Sequence, residues 1–151
     1  MTVTPMELID TFFNWSILVR SFPILIRGLG NTILLGLAAI VFGTIAGLAI
    51  CLMRLYAPKL LRRLAILYVD IFRALPILVV LILIYYALPF VGIRLSSWAS
   101  AVTAFSMVLA AYSAEVFRSG IESIPKGQFE AALALGLPFM RKCLPRYRNE
   151  V

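Results

Sequence analysis

The chain has 151 residues, 62% of them hydrophobic and 14% charged, with a mean hydropathy of +0.99. Soluble domains carry roughly a quarter charged residues, so this composition excludes an ordinary water-soluble fold and indicates a membrane protein. The net charge of +7 does not indicate nucleic acid, because the basic residues gather at the ends of apolar runs and form no stripe interleaved with aromatics.

Histidine is absent, and the two cysteines, Cys51 and Cys143, stand far apart in unlike surroundings. No metal site, disulfide framework or histidine base is expected. The opening "MTVTPMELID" has no basic stretch ahead of a short apolar core, so a cleavable signal peptide is not expected either.

In chain order, residues 1–29 come first. The stretch "LIDTFFNWSILVRSFPILIRGLGN" mixes apolar residues with Asp10, Arg20, Pro23 and Arg27. Its charges interrupt any span, and Trp15 and the phenylalanines suit a membrane surface. An interfacial amphipathic helix is expected there, leading into the first span. The first span, 33–53, is uncharged, and 21 residues at about 1.5 Å each match a hydrocarbon core of about 30 Å. Ala39, Gly43 and Gly47 recur every four residues within it, a spacing that lets a neighbouring helix approach closely.

The second span, 64–88, contains Asp70, Arg73 and Pro76. A charge within a bilayer requires a partner or a purpose. Asp70 and Arg73 are three residues apart and suit either a pair on one helix face or the lining of a translocation path. Pro76 lacks an N–H and is expected to kink or break the helix. The third span, 95–116, stays uncharged until Glu115. Glu115 and Arg118 repeat the three-residue spacing, either as an ion pair orienting the helix end or as a hinge relaying motion. Tyr112 and Ser113, just before them, suit a polar path or hydrogen bonds between helices.

The distribution of lysine and arginine orients the chain. Arg54, Lys59, Arg62 and Arg63 follow the first span; Arg118, Lys126, Arg141, Lys142, Arg146 and Arg148 follow the third; only Arg94 lies between the second and third. Arg20 and Arg27 in the lead-in are offset by Glu7 and Asp10. The N-terminus is therefore expected outside and the C-terminus in the cytoplasm. The expected fold is all-α: a polytopic bundle of three transmembrane helices, an N-terminal interfacial helix and a cytoplasmic helix, with residues 30–151 as one membrane domain.

The cytoplasmic helix lies in "IPKGQFEAALALG". Pro125 suits a turn or a first helical position, alanine, leucine, glutamine and glutamate favour the helix, and Gly136 suits its C-terminal turn. Ala131, Ala132, Leu135 and Gly136 share one side. "EAALALG", Glu130 to Gly136, resembles the EAA loop of ATP-binding-cassette (ABC) importer permeases, whose pattern opens Glu-Ala-Ala-x-x-x-Gly. "AAYSAEVFRSGIESIPKGQFEAALALG", "GLGNTILLGLAAIVFG" and "FRALPILVVLILIYYALP" are similar to the polar amino-acid uptake branch of that family.

The resemblance implies a permease subunit in a bacterial cytoplasmic (inner) membrane. Its EAA loop, near 118–137, implies a coupling helix docked on a separate ATPase, with Gly127, Glu130, Ala131, Ala132 and Gly136 as the docking residues. It implies as partners that ATPase, an extracytoplasmic substrate-binding protein, a second permease subunit, identical or paralogous, and the lipid bilayer. No cofactor is expected on this chain, ATP and Mg²⁺ belonging to the ATPase, and no enzymatic activity is expected of it; it has no G-x-x-x-x-G-K-[ST] phosphate loop. After Gly136 the chain departs from the family: "GLPFMRKCLPRYRNEV" reaches Leu144-Pro145 several residues early, where relatives continue into further spans. A chain truncated after the EAA loop is expected on that ground, with a non-transporting membrane fragment as the alternative function.

Overall fold

The computed structural model describes residues 15–125, 127, 128, 131 and 134–136. Helix α1 is Trp15–Tyr56, α2 is Lys59–Ala74, α3 is Ile77–Ile82 and α4 is Ser97–Glu122. Between α3 and α4 the chain makes a π-helical turn, Leu83–Ala87, and a 3₁₀ turn, Leu88–Val91. The described residues contain no β-strand, in keeping with the expected all-α fold.

Contacts divide the chain into two units, Met1–Gly36 and Leu37–Val151. In the first, the helical residues carry large apolar side chains that stay open to the surroundings, among them Trp15, Phe22 and Leu25. The expected boundary near residue 30, between an interfacial lead-in and a span, is not marked by a helix end: α1 includes Pro23 and runs through that position.

In the second unit, the part of α1 from Leu37 packs on α4 through its small residues. Ala39, Gly43 and Gly47 are buried. A Cβ added at Gly43 would lie 2.9 Å from the Leu109 Cβ, and one at Gly47 would lie 2.7 Å from the Ser113 Cβ and 2.9 Å from the Ala110 carbonyl oxygen. The spacing of four read from the sequence is thus the contact stripe; at Gly43 the Leu109 side chain fills the space a Cβ would take, and at Gly47 the α4 backbone itself does.

Pro58 stands just before α2, its carbonyl accepting from the Arg62 N–H at 3.0 Å. Helix α2 packs on α4 by two means. Cys51, Val69 and Ala114 form a buried cluster flanked by Ile50, Leu55, Tyr68, Phe117 and Ile121. The Tyr68 hydroxyl also donates to the Met107 carbonyl at 2.8 Å. A second cluster joins Val80 and Ile84, on α3 and the π-helical turn, to Ala104 and Val108 of α4. Helix α4 thus lies at the centre, and its alanines (Ala104, Ala110, Ala111 and Ala114) make it slender enough to be surrounded. Ser96 caps its start, accepting from the Ala99 N–H at 3.2 Å.

The break expected at Pro76, within the span 64–88, is present. Lys59–Ala74 and Ile77–Val91 meet at a bend of 107°. Proline accounts for it: Pro76 has no N–H to continue the α2 ladder, and it pushes Leu75 into an extended conformation (φ −85°, ψ 133°). Among the described residues, α1 and α4 are long and apolar enough to cross a bilayer, and the bent pair makes a third crossing if its two parts act as one. Most large apolar side chains outside the two clusters face outward, including Phe42, Ile45 and Leu48 on α1. Lipid accepts such a surface; water does not.

Candidate functional site

Two side-chain groups and one exposed segment carry the residues singled out by sequence, and all three lie on or beside α4. The first group ties the end of α1 to the end of α4. Arg54, in the last turn of α1, donates from Nη1 to the Glu115 Oε2 at 2.6 Å, with the two side chains only 19% and 22% exposed. Arg118 donates from Nε to the Glu115 Oε1 at 3.1 Å and closes a second contact through Nη2. Arg118 also reaches Glu122 one turn later. Two arginines and two carboxylates alternate across the site, so each charge has an opposite neighbour. Alternation matters in a half-buried place, where an unpaired charge costs more than a pair returns.

Glu115 and Arg118 therefore form the pair expected from their spacing. The sequence marks Arg54 only as a cation that orients the chain, and the structure adds its pairing with Glu115. A signal did exist. The small-residue stripe 39–43–47 continues to Cys51 and then, three residues on, to Arg54, all on the face turned to α4. An arginine ending that stripe needs an acid opposite, and Glu115 follows the matching alanines of α4.

The second group sits where α2 ends. The Arg73 guanidinium carbon lies 5.7 Å from the centre of the Tyr112 ring, within cation–π range. Arg73 is in the last turn of α2, where a cation also favours the helix dipole. The expected pairing of Asp70 with Arg73 is corrected: among the described residues no ion pair joins them. Both side chains are exposed, and the ring face of Tyr112 on α4 is within reach of the guanidinium. Arg73 turns to the aromatic ring of α4 instead.

The third feature is the segment after α4. Gly127, Gln128, Ala131 and Ala134 have helical conformation and are exposed. The Gln128 N–H donates to the Pro125 carbonyl at 3.0 Å, and the Leu135 N–H donates to the Ala131 carbonyl at 3.1 Å. Gly136 follows with φ +75°, the left-handed conformation that closes a helix and that a side chain resists. Leu135 is 80% exposed. Glu130 and Ala132 lie outside the described residues.

Comparisons with known proteins agree with these features. Residues 39–143 match the family model described as "Binding-protein-dependent transport system inner membrane component". The chain is 43% identical to the probable amino-acid ABC transporter permease protein YckA of Bacillus subtilis, over 86% of this chain and 58% of that protein. It is 37% identical to the L-cystine transport system permease protein TcyB of the same organism, over 88% of this chain and 57% of that one. It is 38% identical to the glutamate/aspartate import permease protein GltK of Escherichia coli, over 83% and 59% respectively. A crystal structure of an amino acid ABC transporter with histidines superposes at a TM-score of 0.74 and 34% identity, covering 91% of this chain and 59% of that one. The chain spans rather more than half the length of these relatives. On this evidence it belongs to the family of inner-membrane components of binding-protein-dependent transport systems.

Proposed function

We propose that the chain serves as membrane-spanning permease subunit of an ABC importer that moves a polar amino acid or a close relative into the cytoplasm. ATP hydrolysis, with its Mg²⁺, belongs to a separate ATPase, and an extracytoplasmic binding protein delivers the substrate. A second permease copy, identical or paralogous, completes the unit. The chain crosses the membrane three times, the bent pair counting once, with its N-terminus outside and its C-terminus in the cytoplasm. The names of its relatives support the substrate class.

One observation carries the coupling role. The exposed helical turn closed by Gly136 follows directly on a helix end cross-braced by Arg54, Glu115, Arg118 and Glu122. Gly127, Glu130, Ala131, Ala132 and Gly136 form the surface that seats on the ATPase, small enough for close contact. The brace lets a push on that surface reach α1 and α4 together instead of being absorbed as local bending. Arg73 and Tyr112, with Asp70 one turn earlier, stand beside the Leu75–Pro76 break, where a change of bend opens or closes a path.

A photo-crosslinking residue at Ala131 tests the docking. The chain is co-expressed with an amino-acid-type ABC ATPase, and a crosslink to the ATPase is expected. Gly136→Val, which forces a branched side chain into a left-handed backbone, is expected to abolish co-purification. A missing crosslink together with undiminished co-purification refutes the coupling surface. ATP-dependent amino-acid uptake into vesicles that also hold the binding protein tests transport directly, and uptake at background refutes it for this chain.

A further inference from the structure

The helical residues of the first unit, 15–36, carry a two-sided pattern, interrupted on its arginine side by the exposed Ile17 and Ile24. Arg20 and Arg27 lie two turns apart and share a face, joined one turn later by Asn31, and all three are exposed. Trp15, Leu18, Phe22, Leu25 and Leu29 follow the 3–4 spacing on the opposite side, each more than half exposed. Trp15, Leu18, Val19 and Phe22 line a shallow apolar cleft. No acidic residue occurs from Trp15 to Gly36.

Length adds a second constraint. Helix α1 has 42 residues. At about 1.5 Å each that is roughly 63 Å of helix, against about 40–45 Å for a whole bilayer with its headgroups. A helix of that length has more residues than the hydrocarbon holds, and one face of 15–32 is too apolar for water; lying along the surface requires α1, unbroken from Trp15 to Tyr56 in the structure, to turn near residue 32. Pro23 also leaves the Val19 carbonyl without the N–H a helix would supply. Water at an interface repairs that deficit and hydrocarbon does not.

We infer that residues 15–32 form a basic amphipathic helix that binds the surface of an anionic bilayer. The Trp15–Phe22–Leu29 face sinks to the boundary between headgroups and acyl chains, and Arg20 and Arg27 meet lipid phosphates. Charge complementarity selects this occupant. A face destined for another apolar helix gains nothing from two arginines on its back, whereas a headgroup layer rewards both.

The test uses the full chain in nanodiscs, with Cys51→Ala and Cys143→Ala and single spin-labelled cysteines placed in turn at positions 18 to 31. Accessibility to oxygen and to a water-soluble nickel complex is read in discs of phosphatidylcholine with and without phosphatidylglycerol. The expected result is an oscillation of period about 3.6 at constant mean depth, oxygen peaking at Leu18, Phe22, Leu25 and Leu29 and nickel peaking at Arg20, Arg27 and Asn31. Adding phosphatidylglycerol is expected to deepen the apolar positions, and Arg20→Gln with Arg27→Gln is expected to erase that response while leaving the chain inserted. A steady rise in depth along the segment would mean a span. Low accessibility to both probes would mean burial against protein, such as a second copy. Either pattern, or a wild-type profile indifferent to phosphatidylglycerol, overturns the inference.

Discussion

Removing the bridge between Arg54 and Glu115 tests whether the ends of α1 and α4 are held as one body. Their contact is 2.6 Å long and both side chains are about one-fifth exposed. Charges spread over two such groups lie roughly 4 Å apart, giving about 4 kcal/mol at an effective dielectric of 20 and about 1 kcal/mol in bulk water. Holding an arginine and a glutamate in single rotamers costs about 1.5–2 kcal/mol for each if fully fixed, and partial desolvation costs more. Set against about 4 kcal/mol of attraction, these costs leave a net coupling of at most about 1 kcal/mol. A double-mutant cycle with Arg54→Gln and Glu115→Gln measures it, read from equilibrium unfolding in mixed micelles. Glu115→Gln alone should cost more than Arg54→Gln alone, because it strips an acceptor from both arginines, while Arg118 keeps Glu122. No measurable coupling, as at many exposed pairs, or equal costs for the two single changes, would refute the brace.

Other outcomes follow from the packing. Gly47→Ala should destabilise the chain by about 1–3 kcal/mol, because the new methyl would meet Ser113 and the Ala110 carbonyl. Gly36→Ala, with nothing within 4 Å, serves as the control in the same unfolding assay and should be neutral or slightly stabilising. Pro76→Ala restores an N–H at the break, so the distance between spin labels on α2 and on α3 should lengthen as the 107° bend opens. An unchanged distance would mean that packing on α4, not proline, holds the bend. Ser96→Ala removes the cap on α4 and should cost about 1 kcal/mol, seen as a lower unfolding midpoint.

Much of the chain's character follows from local rules, which need no partner. The uncharged run 33–53, the glycines at 43 and 47, the break at Pro76 and the helix-closing turn at Gly136 each depend on a residue's own hydrophobicity or backbone freedom. Those properties act wherever the residue is placed, so they are legible in order along the chain, and the resemblance of 130–136 to a permease EAA loop added the family.

Other features were decided only when the helices came together. Asp70 and Arg73 have an ideal spacing for a pair, yet Arg73 lies against Tyr112, a residue almost forty positions away that packing of α2 on α4 brings beside it. Arg54 belongs to a connecting stretch by sequence and to an ion cluster by structure, since the close fit at Gly43 and Gly47 sets the register that carries it to Glu115. The energy of a charge depends on what surrounds it, and those surroundings exist only after α1, α2 and α4 have packed. Local chemistry thus determined the elements and the family, while the helix-to-helix fit decided which charges meet.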